Sequence, residues 1–141
     1  MAKVPEVLQH HINDAYPDYP CLVATVLPDG FAQVTPRGSV VAIDAETMGF
    51  WNRGGGSTAG NIADGAKVTI FYRNPTIREV LPAGGTARFY GTAEIHKTGP
   101  LCQKVWEMMV EPERQKDPDK KGFAVIVRLE KAQHLNGKPI E

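Results

Sequence analysis

Alternating apolar and polar residues, separated by turn residues, predict a chain built mainly from β-strands. The apolar or β-branched runs lie at residues 21–27, 31–35, 39–43, 48–52, 67–73, 86–96 and 123–129. Short connections such as Pro28-Asp29-Gly30 predict hairpins. Because the runs at 31–35 and 39–43 are interpreted as one interrupted strand, the pattern predicts about six strands in an antiparallel barrel rather than β-α-β units.

Two stretches have the spacing of short amphipathic helices. The first covers residues 4–15, with apolar residues at Val4, Val7, Leu8, Ile12 and Ala15. The second follows Pro100, with its apolar stripe at Leu101, Val105, Met108 and Met109. At 141 residues the chain is expected to form a single domain, residues 1–141, with these helices at its periphery.

The interruption at Thr35-Pro36-Arg37-Gly38 marks an edge or a bend of the sheet. Proline cannot donate to a central ladder, and glycine permits a bulge. Backbone groups are therefore expected to face a ligand here, with the Arg37 guanidinium as an additional donor. The alternative is a solvated arginine on a strand edge.

Residues 50–64, FWNRGGGSTAGNIAD, combine features that favour an anion. Gly54, Gly55 and Gly56 allow successive backbone N–H groups to approach one point, and Arg53 adds a forked cation. Ser57 or Thr58 would cap a short helix whose N-terminus also favours phosphate. The alternative interpretation is a mobile glycine-rich surface loop.

Charge and composition exclude several classes of function. Sixteen basic and sixteen acidic residues cancel, so no strong field recruits nucleic acid or an anionic membrane. No apolar run reaches the roughly 20 residues that span a bilayer, and the N-terminus lacks the features of a signal peptide, so a cytoplasmic protein is expected. Cys21 and Cys102 have no metal or redox spacing and are expected to be buried hydrophobes.

No catalytic residue is assigned from the sequence. There is no GxSxG motif, the glycine loop lacks the lysine of a nucleotide-binding loop, and the four histidines lack the i, i+4 spacing of a metal helix. No metal is therefore expected. Trp51 is expected in the core, and the paired carboxylates Asp117 and Asp119 are interpreted as solubility charges in a charged loop.

The order of these motifs resembles the FMN-binding split-barrel superfamily, which includes pyridoxamine 5'-phosphate oxidase and the small bacterial FMN-binding protein. The resemblance covers residues 20–135 and lies in LVATVLPDGFAQVTPRG at 22–38, GFWNRGGGSTAGNIADGAKVTIFYRNP at 49–75, RFYGTAEI at 88–95, and KTGP before the second helix. It implies a mainly β fold: a six-stranded antiparallel split β-barrel with short helices, forming a homodimer.

The resemblance also implies a flavin at the subunit interface. The flavin ring would lie along Thr35, Pro36, Arg37, Gly38 and Ser39, and its phosphate would be held by Asn52, Arg53, Gly54, Gly55, Gly56, Ser57, Thr58 and Asn61. FMN is the expected cofactor, with F420 or haem as alternatives. The expected function is a flavin-dependent oxidoreductase acting on an unknown small substrate, and the alternative is a non-catalytic binding or electron-carrier module.

This chain departs from the family pattern at two places. It has Ser57, Thr58 and Ala59 where many relatives carry Arg or Lys beside the loop serine. The basic and histidine set that binds substrate phosphate in pyridoxamine 5'-phosphate oxidase is not recognisable, so vitamin B6 phosphate is not the expected substrate.

Overall fold

The computed structural model describes residues 4–53 and 62–141. In chain order its elements are α1 (Glu6–Asn13), β1 (Cys21–Val26), β2 (Ala32–Arg37), β3 (Val41–Asp44), β4 (Thr47–Asn52), β5 (Lys67–Arg73), β6 (Thr86–His96), α2 (Pro100–Met108), α3 (Glu111–Arg114) and β7 (Phe123–His134). The fold is mainly β, as predicted. The short helix expected after the glycine loop lies outside the described residues.

The strands form one antiparallel sheet in the order β2-β1-β5-β6-β7-β4-β3. β2 and β3 are its two edges, yet only residues 38–40 separate them along the chain. The sheet must therefore curl until its edges approach each other, although no ladder joins them among the described strands. This open barrel agrees with the split β-barrel that the resemblance implied.

The prediction of six strands was wrong, because the described residues contain seven. Residues 31–43 form two strands on opposite edges of the sheet rather than one interrupted strand. β2 also continues through Pro36, which pairs with Leu22 of β1. Proline is tolerated there because β2 pairs on one side only, so its other side needs no donors. The predicted edge position of Pro36 is therefore confirmed.

Two hydrophobic clusters pack on either side of the sheet. The larger cluster fills the barrel and includes Leu8 and Ile12 of α1. Both side chains are almost completely buried, as the helical spacing predicted. The smaller lies between the sheet and α2 and contains Trp51, Cys102 and Val105. Covered on both faces, β4 is buried at every position. Both cysteines are buried and free, as expected.

None of the helices in the described part of the chain is long and apolar enough to cross a membrane.

Candidate functional site

A small cavity lies where the end of β2 meets the end of β4. Its volume is about 70 Å³. We call it the cation cavity, and it is lined by Pro36, Arg37, Gly38, Ser39, Trp51, Arg53, Glu113 and Lys116. Three cations and one carboxylate leave two uncompensated positive charges among these residues. The lining therefore suits an anion.

Side-chain hydrogen bonds across the open edge of the barrel hold this cavity together. Ser39 Oγ accepts the backbone N–H of Trp51 at 3.1 Å and donates to the Trp51 carbonyl at 3.4 Å. Arg37 Nη1 donates to the same carbonyl at 3.3 Å. The segment after β2 is thereby fixed against β4, and Arg53 follows directly at the end of that strand.

Arg37 is held in an environment that disfavours its charge. Burial lowers the pKa of Arg37, the neighbouring positive charge of Arg53 lowers it further, and Glu113 acts in the opposite direction. Its guanidinium carbon lies 5.2 Å from the centroid of the Phe50 ring, and its buried Nε has no hydrogen-bond partner in the described structure. A bound anion would supply both the missing charge and the missing acceptor.

Of the thirteen residues predicted to bind the cofactor, seven are described, and five of these line the cation cavity: Pro36, Arg37, Gly38, Ser39 and Arg53. Thr35 and Asn52 are not among its lining residues. Thr35 pairs with Val23 inside the β1–β2 ladder, and Asn52 is buried opposite Phe123 in the β4–β7 ladder. Gly54, Gly55, Gly56, Ser57, Thr58 and Asn61 lie outside the described residues.

Sequence reasoning missed Glu113 and Lys116, which reach the cavity from α3 and the turn after it. Their side chains form an ion pair of 2.6 Å between Lys116 Nζ and Glu113 Oε2. Gly38 makes this approach feasible, since a Cβ at that position would lie 3.0 Å from the Glu113 carboxyl group. No periodicity marked these residues, because a charged loop has the same composition whether or not it packs on a site.

The interpretation of Asp117 as a solubility charge was wrong. Asp117 is only 7% exposed, and its Oδ2 accepts the indole N–H of Trp51 at 2.8 Å. Backbone N–H groups of Lys121 and Gly122 donate to the same carboxylate at 3.0 and 2.8 Å. Asp117 therefore anchors Trp51, a wall of the cation cavity, to the segment that leads into β7.

These hydrogen bonds also set the ionisation of Asp117. Burial is the largest single effect and acts to raise its pKa, but the donors from Trp51, Gly122 and Lys121 together outweigh it. The pKa of Asp117 is therefore below its ordinary value. Nowhere in residues 4–53 and 62–141 do three or more His, Cys, Asp or Glu side chains cluster as metal ligands would.

Comparison with known proteins identifies relatives of this chain. The family model for pyridoxamine 5'-phosphate oxidase matches residues 9–134, which is most of the chain. Among curated proteins, none matches significantly.

Several solved structures share the fold. HupZ from Group A Streptococcus has a TM-score of 0.71 at 24% identity, covering 98% of each chain. An F420 reductase has a TM-score of 0.60 at 22% identity, covering 92% of this chain and 98% of its own. An FMN-binding protein from Syntrophomonas wolfei has a TM-score of 0.60 at 12% identity, covering 88% of this chain and 81% of its own. At these identities the likeness establishes the fold alone.

Proposed function

The chain belongs to the pyridoxamine 5'-phosphate oxidase family, and we propose that it is an FMN-binding, flavin-dependent oxidoreductase acting on a small substrate. FMN would place an anionic or polar edge in the cation cavity, whose volume of about 70 Å³ is too small for the whole cofactor. One observation carries this proposal: Arg37 and Arg53 converge on a cavity where their charges are not balanced and where the buried Arg37 Nε has no acceptor. An anionic, hydrogen-bonding cofactor fits this donor set. The FMN-binding relative supports the choice of FMN.

In this proposal each part of the site has a separate role. Arg53, at the start of the glycine-rich segment, would hold the phosphate together with the loop hydroxyls. Arg37 and the backbone N–H groups of Gly38 and Ser39 would donate to the polar edge of the ring and fix its orientation. FMN supplies the hydride or electron chemistry when it is bound, so the protein needs no acid-base pair of its own for that step.

We further propose that the protein is a homodimer with the cofactor at the subunit interface. The outward side chains of neighbouring strands form what we call the outer apolar face: Leu22, Ala24 and Val26 of β1, Ala32, Val34 and Pro36 of β2, and Phe71 of β5. Val26 is 60% exposed and Val34 is 57% exposed. A contiguous apolar face on an edge strand is the usual signature of a protein interface.

Pro36 connects the two proposals. It belongs to the outer apolar face and also lines the cation cavity. A second copy of the chain packed on that face would therefore border the cofactor and help to exclude water from it.

Val34→Glu is expected to dissociate the dimer and to weaken flavin binding. The substitution would bury a carboxylate in the interface, raising the dimer dissociation constant by about 100-fold or more. Analytical ultracentrifugation measures this constant, and circular dichroism checks that the monomer remains folded. Val7→Glu is the matched control, since Val7 is 50% exposed on α1, outside that face. Equal effects of both substitutions would refute this interface.

Arg53→Ala is expected to raise the dissociation constant of FMN by about 10- to 100-fold, because a charge-assisted hydrogen bond contributes about 1.5–3 kcal/mol. Quenching of flavin fluorescence during titration measures it. Arg78→Ala is the control, because Arg78 is exposed and does not line the cavity. Unchanged affinity in Arg53→Ala would mean that the phosphate binds elsewhere.

The second candidate function is a non-catalytic module that binds or carries flavin, F420 or haem. The structural likeness to an F420 reductase is the reason that F420 is included among the candidate cofactors. The absorbance spectrum of the purified protein, with mass analysis of whatever denaturation releases, distinguishes the three cofactors. Bleaching of the bound flavin by a reduced nicotinamide, followed by reoxidation with turnover of an acceptor, would support the enzyme. A colourless protein that binds neither added FMN nor F420 would refute flavin binding.

A further inference from the structure

Trp51 lines a second and larger cleft in addition to the cation cavity. This cleft has a volume of about 260 Å³, and its walls include Trp51, Trp106, Lys97, Lys120 and Gln103. We call it the tryptophan cleft. It lies where α2 and the connection between β6 and α2 meet the end of β4.

Its aromatic wall is formed by the two tryptophans. Their ring centroids are 5.0 Å apart and their planes meet at 63°, an edge-to-face contact. Asp117 holds Trp51 in place through the indole N–H. A ring bound here would meet mainly Trp106, which is half-buried, because Trp51 is only 4% exposed.

The side chains that line the cleft carry two positive charges and no negative one. Lys120 Nζ lies 4.9 Å from the centroid of the Trp106 ring and donates to Gln103 Oε1 at 3.4 Å. In the described residues neither Lys97 nor Lys120 pairs with a carboxylate, and no acidic residue lines the cleft. The ammonium above Trp106 offers an anion both a charge and an adjoining aromatic face.

We propose that the tryptophan cleft binds a small aromatic anion, meaning one ring that carries a carboxylate or a phosphate. The volume is just below the 300–1,000 Å³ typical of sites for drug-sized ligands, so a single ring is the appropriate size. The tryptophans would contact the ring, and Lys97 and Lys120 would contact the charged group. The cations of this site are separate from those of the cation cavity, although Trp51 lines both.

Tryptophan fluorescence of the full chain tests this inference directly, because both tryptophans in the sequence line the cleft. Protein freed of flavin is titrated with benzoate and with phenyl phosphate. Uncharged benzamide and inorganic phosphate are the matched probes that lack the charge or the ring. We expect saturable binding of at least one aromatic anion, with a dissociation constant at least about tenfold lower than for either matched probe. Equal binding of benzamide and benzoate, or no binding of either anion, would overturn the proposal.

Three lysine variants and one arginine variant assign the binding to this cleft. Lys97→Gln and Lys120→Gln should each raise the dissociation constant of the aromatic anion by about fivefold or more. Lys104→Gln should not change it, because Lys104 is an exposed lysine of α2 outside the cleft lining. Arg53→Ala should change the affinity for the aromatic anion by less than about twofold, although it weakens the binding of FMN. If Arg53→Ala were the only variant to lose binding of the aromatic anion, the anion would bind in the cation cavity, and the proposed site in the tryptophan cleft would be refuted.

Discussion

Asp117→Asn is expected to lower the free energy of unfolding by about 3 kcal/mol at neutral pH, because it removes a buried charge that accepts three hydrogen bonds. The asparagine amide keeps one acceptor oxygen but turns an N–H₂ group toward the donors of Trp51, Lys121 or Gly122. At least one donor is then buried without an acceptor. Urea denaturation measures the loss, and the emission of Trp51 should change in the native state.

The matched control is Asp119→Asn, which removes the same charge two residues away. Asp119 is exposed and lies in the same charged segment. Its substitution is expected to change stability by less than about 0.5 kcal/mol, as for most surface positions. Similar losses in the two variants would mean that the charge of the segment matters and that the contact with Trp51 does not.

The free energy of unfolding at acidic pH should also depend on the Asp117 carboxylate. The pKa of Asp117 is lower in the folded protein than its ordinary value of 3.8, so its stabilisation is present above that value and is lost as the pH falls through the folded pKa. The pH dependence below about pH 4 should therefore be shallower in Asp117→Asn. It should not vanish, because Glu94 and Glu130 also have lowered pKa values.

Gly122→Ala is expected to cost about 3 kcal/mol and to weaken FMN binding as well. A Cβ at Gly122 would collide with the carbonyl oxygen of Asn52 and would lie 2.8 Å from the Cα of Arg53. These neighbours are backbone atoms of the β4 end, so the strand has to move, and Arg53 moves with it. Thermal unfolding and FMN titration of the folded protein measure the two effects.

Gly91→Ala separates the effect on the site from the effect on stability. A Cβ at Gly91 would collide with the carbonyl oxygen of Arg128 and lie 2.7 Å from Val127 Cγ1, at the bulge between β6 and β7. It should destabilise the protein to a similar degree but leave the FMN affinity of the folded protein unchanged. If Gly122→Ala lost stability without loss of affinity, Arg53 would not be positioned by this contact.

Local patterns in the sequence were sufficient for most of the strands. The runs predicted at 67–73 and 86–96 have the bounds of β5 and β6, because alternation and β-branched residues report directly on a pleated, half-buried strand. Pro36 indicated a sheet edge through its missing N–H. Local chemistry marked Arg37 and Arg53 as separate candidates for ligand contacts, and the family resemblance placed them in one cofactor site. Both line the cation cavity.

What the sequence determined by itself was therefore most of the strands, the edge at Pro36 and the candidate cations Arg37 and Arg53, since each depends on neighbours along the chain. Only the tertiary structure decided that residues 31–43 are two strands on opposite edges, and that Glu113, Lys116 and Asp117 join the site from a distant segment. Asp117 and Asp119 are chemically identical in the sequence. One is buried against Trp51 and the other is exposed because the chain packs α3 and the following turn against β4, a long-range arrangement that no local pattern records.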